Sequence, residues 1–207
     1  MGTRITKPST AMRKAPRQAR SRATIEVILD AAARILGERG WSGVTTNLVA
    51  EVAGVSIGSL YQYFPHKRAL VEAVRRRHFD EILQVLRAAT DLATPRTRRI
   101  AIFVDGMIAA HSRFPAAHHA LMEQVPRDDG ASSGTDTFER RYRSGCKAFF
   151  AANARYKTVD GTGLRAQVLA AAVAGVIHDV DHQGTLEFPP LRRELMLLVE
   201  AYLARRS

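Results

Sequence analysis

The sequence predicts an all-α protein of about nine helices: a three-helix head with a helix-turn-helix, a linking helix, and a larger helical domain. Three observations predict it. Apolar residues recur at helical spacing in segment after segment. Proline and glycine stand between those segments, where helices must stop or start. One stretch, residues 41 to 67, WSGVTTNLVAEVAGVSIGSLYQYFPHK, reads as two short helices joined by a tight turn, followed by the start of a third.

The head is expected over residues 21–66. Ahead of it, residues 1–20 mix Pro8, Ser9, Thr10 and Pro16 with bases and few apolar residues, which suits a mobile basic arm. Such an arm can reach a narrow minor groove, where arginine is attracted. From Ser21 to Arg39, Ile25, Ile28, Leu29, Ala32, Ile35 and Leu36 line one helical face, and Gly40 ends it. Trp41 and Val44 then complete a core of about 60 residues, marginal by itself. Val44, Leu48, Val49 and Val52 give the next short helix its apolar side, and Thr45 or Thr46 can cap it through the hydroxyl. Gly54 falls where that helix must stop, since glycine takes a left-handed conformation at little cost. Ser56 caps a second short helix, Ile57 to Tyr63, and Pro65 ends it by pushing the residue before it out of helical space.

The second short helix reads as exposed on one side. Leu60 and Phe64, four apart, face inward together. Ser56, Gly58, Ser59, Tyr61, Gln62 and Tyr63 fall mostly on the other side, offering hydroxyls and an amide to phosphate oxygens or base edges. Gly58 lets backbone approach a groove, and Lys67 brings a cation to the first turn of the next helix, where free amides also favour phosphate. The plainer reading makes Tyr61 and Tyr63 half-buried aromatics with wet hydroxyls. Charge favours nucleic acid. Residues 1–24 hold seven bases and no acid, out of a net +11, whereas residues 25–79 carry +2 and the remaining 128 residues another +2. A charge excess at one end is the footprint of a protein that meets nucleic acid there.

The ordered pattern Thr45-Thr46, Val49-Ala50, then Ala53-Gly54-Val55-Ser56-x-Gly58-x-Leu60-Tyr61-x-Tyr63-Phe64-Pro65-x-Lys67-x-x-Leu70 resembles the DNA-binding domain of the TetR family of transcriptional repressors. The resemblance covers roughly residues 20–80. It implies an all-helical homodimer that binds an operator and is released by a small ligand. It also implies that Thr46, Ser56, Gly58, Ser59, Tyr61, Tyr63 and Lys67 match positions that touch DNA in the family. One position departs: where relatives are often basic or polar, this chain has Ile57, an apolar tip suited to a thymine methyl. With Thr45, Asn47 and Gln62 added, these residues form the expected DNA-contacting set.

A linking helix is expected from Lys67 to about Ala93, with Leu70, Val74, Phe79, Ile82, Leu83 and Leu86 inward and Arg75-Arg76-Arg77 as a solvated face. Residues 94–207 make the second domain. Pro95 opens a helix carrying Ile100, Phe103, Val104, Met107 and Ile108 down to Phe114. Residues 116–125 form a short helix, PRDDGASSGT a loop, 136–156 a further helix, and YKTVDGTG another loop. The helix at 162–182 is rich in alanine and glycine, which lets a partner helix approach, and the last helix opens at Pro189-Pro190. Together these two suit a four-helix bundle made by two subunits, the homodimer the resemblance implies.

Several functions are disfavoured. Residues 1–24 lack the apolar stretch of a secretory signal, and the longest near-apolar run, Val168 to Ile177, is short for a bilayer, so no membrane role is expected. With Cys146 as the lone cysteine there is no intrachain disulfide and no thiolate zinc site, which fits a cytoplasmic protein. No catalytic set, cofactor or metal is expected. The stretch His178-Asp179-Val180-Asp181-His182-Gln183-Gly184 resembles the metal signature of cyclic-nucleotide phosphodiesterases, and with His178, Asp179 and His182 it leaves a metal-dependent phosphodiesterase as one alternative. A non-specific architectural DNA-binding protein is the other. For the small effector, the expected pocket is Phe103, Met107, His111, Met122, Cys146, Phe149, Phe150 and His178, suited to an apolar molecule with one or two polar groups.

Overall fold

The computed structural model describes residues 19–123, 125, 134–156, 162–182 and 189–205; among them the protein is all helix. The helices are α1 (Ala19–Gly43), α2 (Thr46–Val52), α3 (Ile57–Tyr63), α4 (Lys67–Ala88), α5 (Arg96–Ser112), α6 (Pro115–Glu123), α7 (Gly134–Asn153), α8 (Thr162–His182) and α9 (Pro189–Ala204). The expected basic arm up to residue 18, and most of the two expected loops, lie outside the described residues. The chain forms two compact units. The first runs to Arg77 and includes Ala116–Val125; the second holds His78–Pro115 and the chain from Pro126 onward. Helix α4 thus passes from one unit to the other between Arg77 and His78.

In the first unit, Ile28, Ala32 and Leu36 on α1, Val49 on α2, Leu60 and Phe64 at α3 and Leu70 on α4 are all fully buried or nearly so. Removing such large apolar side chains from water is the main force holding so small a head. Gly40 has φ 65° and breaks the α1 helix internally, close to where the sequence ends it. The Thr45 hydroxyl accepts from the Leu48 amide at 3.2 Å and caps α2. Gly54, at φ 66°, closes α2 with its amide donating to Glu51, while the Val55 amide donates to Ala50. The Ser56 hydroxyl caps α3 by accepting from the Ser59 amide at 3.1 Å. At α4 the cap is an imidazole: His66 Nδ1 accepts from the Ala69 amide at 3.1 Å.

The arginine triplet corrects an expectation. Only Arg76 is exposed. The Arg75 side chain is 7% exposed and donates to Glu72 Oε2 at 2.8 Å and to the Leu121 carbonyl at 2.9 Å. Arg77 donates to Asp30 at 2.7 Å and to Glu26 at 3.0 Å. Consecutive helical residues point about 100° apart, so a triplet spans about 200° of the circumference, more than one face can hold, and two of the three meet α1 and α6.

The second unit is built around Leu86, Ile100, Phe103, Val104, Phe150, Val173, Ile177, Leu195, Val199 and Leu203. Helix α4 ends at Ala88, five residues before the expected end. Thr90 donates to the Arg87 carbonyl at 2.7 Å, and Asp91 accepts from the Ala93 amide at 3.0 Å, so a turn forms instead of another helical turn. Arg99 and Asn153 then tie three helix ends together. Arg99 donates to the Asn153 side chain at 3.0 Å, the Thr94 carbonyl at 2.6 Å and the Ala152 carbonyl at 2.8 Å. The Asn153 amide donates to Ala89 at 3.1 Å and Phe149 at 2.8 Å. Of these, Ala152 lies in the last turn of α7 and Ala89 just past the end of α4, where carbonyls lack helical partners, whereas Thr94 precedes α5. Two glycines set how near the helices come: a methyl at Gly106 would sit 2.6 Å from Val85, and one at Gly145 would sit 2.9 Å from Leu86.

Candidate nucleic-acid interface

Helix α3 is seven residues long, and its sequence divides it sharply. Leu60, Tyr63 and Phe64 recur at i, i+3 and i+4 and are buried. Ser56, Ile57, Gly58, Tyr61 and Gln62 are exposed, and Ser59 is half-buried. Tyr63 therefore corrects the outward placement expected for it: at 8% exposure, its ring 6.5 Å from that of Phe64, it packs the head. The reason is spacing, since Tyr63 lies one turn after Leu60 on the same stripe.

The outward side chains hold one another. Thr46 Oγ1 and the Tyr61 hydroxyl are 3.1 Å apart, which joins the start of α2 to the middle of α3. Ser56 and Ser59 share a hydroxyl contact of 2.8 Å. Thr45 and Asn47 are exposed at the start of α2, beside Thr46. Pre-set hydroxyls of this kind lose less freedom on binding than free ones. A methyl built on Gly58 would meet only the Ser56 hydroxyl, at 3.9 Å, so the head's own packing does not demand glycine there. Ile57 is 38% exposed at the N-terminus of α3. Lys67 is half-buried; its Nζ donates to the Trp41 carbonyl at 2.9 Å and lies 4.3 Å over the Trp41 ring. The cation thus fastens α4 to the end of α1.

Residues 28–74 match the family described as bacterial regulatory proteins, tetR family, and residues 98–203 match a tetracyclin repressor-like C-terminal domain. The chain belongs to the TetR family. Its all-helical fold with an N-terminal helix-turn-helix is the one the resemblance implies. The HTH-type transcriptional repressor KstR of Mycolicibacterium smegmatis is 33% identical over 108 residues, 52% of each chain. KstR of Mycobacterium tuberculosis is 34% identical over 115 residues, 55% of this chain and 52% of that one. These matches span about half the length of the curated relatives. Among solved structures, the fatty acid degradation regulator FadR from Bacillus halodurans superposes with a TM-score of 0.63 at 15% identity, covering 92% of this chain and 96% of that one.

In the C-terminal unit of this TetR protein, a cavity of about 540 Å3 opens between α7 and α8. Alanines 166, 170, 171 and 174 and the Tyr142 ring give it an apolar lining, while Glu139, Arg143, Lys147 and Gln167 bring polar groups. Of the eight expected pocket residues, Cys146 lines it. Burial pushes the Cys146 thiol up to about 11, against a smaller opposing effect of its bond with Tyr142. Phe103, Met107, Phe149 and Phe150 pack in the closed core instead, Phe103 and Phe149 stacked at 4.2 Å. His111 is buried, His178 is half-buried, and the Met122 side chain lies outside the described residues. The cavity exists because α8 carries methyls where larger residues would fill it. That signal was legible in the alanine-rich sequence, although it pointed first to a partner helix. The phosphodiesterase-like stretch divides: Asp179 is exposed while His178 Nε2 is buried, and the side chains beyond residue 180 lie outside the described residues.

Proposed function

We propose that this protein is a dimeric repressor. In this reading α3 reads a pseudo-palindromic DNA operator, and a small, mostly apolar molecule in the second unit releases it. The observation that carries the reading is the two-sided α3, with Leu60, Tyr63 and Phe64 inward and Ser56, Gly58, Tyr61 and Gln62 outward. An exposed helix of small polar residues and glycine, held by a braced head, suits a major groove. Thr45, Thr46, Asn47 and Ser59 extend the contact surface, and Ile57 supplies an apolar tip. The name repressor borne by the two KstR relatives supports the direction of control.

Dimerisation is proposed through α8 and α9. Their outer faces expose Leu164 (68%), Val168 (44%) and Val176 (37%) on α8, and Leu197 (54%) and Leu198 (37%) on α9. From Gly163 to Val180, α8 is long and apolar enough to cross a bilayer by length and composition alone. Its other side, Leu169, Val173 and Ile177, is buried in the unit's core, so the exposed stripe suits a partner subunit in the cytoplasm. Two heads related by a two-fold axis meet half-sites about 34 Å apart or a small multiple of it. The effector acts by binding one head spacing better than the other, with α4 as the continuous element between units.

A genome-wide binding footprint, followed by fluorescence anisotropy on the recovered sites, tests this. The expected result is one pseudo-palindromic motif bound at least about a thousandfold more tightly than random duplex. Equal affinity for random DNA would instead support the architectural reading.

A further inference from the structure

The cavity between α7 and α8 is a trench whose two ends differ in charge. Ala166, Ala170, Ala171 and Ala174 give it one apolar wall, and Tyr142 and Cys146 form part of the other. Those last two bond to each other, and burial pushes both groups up, so neither carries charge near neutral pH. From Gly163 to Ala174 the α8 wall runs about 16 Å at the helical rise. The volume of about 540 Å3 is that of a small-molecule site.

One end is cationic. Lys147 stands beside Gly163, where an added methyl would lie 3.3 Å from Lys147 Cε. Helix α8 begins at Thr162, so the positive end of its dipole and its first-turn amides lie here too. Gln167, one turn along α8, adds an amide, and Arg143, one turn back on α7, adds a second cation. Among the described residues Arg143 and Lys147 join no ion pair, unlike Arg75, Arg77 and Arg192. The other end is different. There Ala171 and Ala174 supply methyls, and the charged side chain is Glu139, about 12 Å from Lys147 along α7.

We propose that this trench binds an elongated amphiphile bearing a single carboxylate. The carboxylate lies among Lys147, Arg143 and Gln167, and the apolar body lies along Ala170, Ala171 and Ala174. An ammonium head group would face two cations, and a second carboxylate at the tail would meet Glu139; like charges so placed exclude wrong partners. The proposal deepens the reading in which a small, mostly apolar molecule releases the protein from DNA, and the amphiphile's role as effector rests on that reading.

Isothermal titration calorimetry of the full chain with decanoate, decanedioate and decyltrimethylammonium tests the site. Saturable binding of one decanoate per chain is expected, at least about tenfold tighter than either of the others. Arg143→Gln and Lys147→Gln should each weaken decanoate about fivefold, the upper end for solvent-facing ion pairs. Arg140→Gln, exposed on the same helix but off the trench, should leave it unchanged. Lys147→Glu should narrow or reverse the preference over decyltrimethylammonium, a change that mere loss of structure would not produce. Ala171→Leu, at an exposed position, fills the trench and should abolish binding. Equal affinity for the three probes, or unchanged decanoate binding when both cations are replaced, overturns the proposal. So does an Ala171→Leu protein that binds decanoate as before but sediments as a smaller species, which would give the trench to a second copy. No DNA enters the titration, so a decanoate complex that leaves operator affinity unchanged counts against the repressor reading and not against the site.

Discussion

The head and the second unit are both packed helices, but they place their polar side chains in opposite ways. In the head, caps act across three residues, Thr45 to Leu48 and Ser56 to Ser59, and the hydroxyl residues Thr45, Ser56 and Tyr61 are exposed. In the second unit the decisive polar groups are buried and distant in sequence, as with Arg99 and Asn153, 54 residues apart. A reading surface needs a fixed local shape with its polar groups free to meet a partner. A helical box with a cavity needs its helix ends held from inside. Such a buried network stabilises only while every member is satisfied.

The largest effect expected from that contrast follows Asn153→Ala. It takes the acceptor from a buried arginine edge and two donors from the carbonyls of Ala89 and Phe149. A loss of about 4 kcal/mol is expected, read as a lower urea midpoint. A loss under about 1 kcal/mol would show that water takes over these bonds and that the network is not what holds the helix ends. Next comes a pair of neighbouring tyrosines. Tyr63→Ala should cost about 3 kcal/mol of stability, as for other buried aromatics. Tyr61→Ala should change stability by no more than about 0.5 kcal/mol, yet weaken operator binding about tenfold, or about 1.4 kcal/mol. The reverse pattern would place Tyr61 in the core and remove the outward face of α3.

These contrasts also explain what could be read from sequence. Caps, glycine stops and proline stops act within a few residues, so Thr45, Gly54, Ser56 and the bounds of α3 were legible. Tyr63 was misplaced because residue type was weighed above its three-residue spacing from Leu60. Arg75 and Arg77 were misjudged because their partners, Leu121, Glu26 and Asp30, come from other helices. The same holds for Gly106 and Gly145, whose role appears only once Val85 and Leu86 lie against them. Helical period predicts which side of a helix is apolar. It carries no information about which helix will cover that side, and for this reason aromatic residues expected in a pocket pack in the closed core.

The smallest effect separates local from distant stabilisation most directly. Thr45→Ala removes the acceptor for the Leu48 amide and should cost about 1 kcal/mol. Thr45→Ser keeps the oxygen and should restore most of it. Because the cap acts on one turn of α2, faster amide hydrogen exchange is expected in α2 and α3, with protection in α7 to α9 unchanged. An equal loss of protection in α7 to α9 would mean that both units unfold together, and that the head does not stand on its own local bonds.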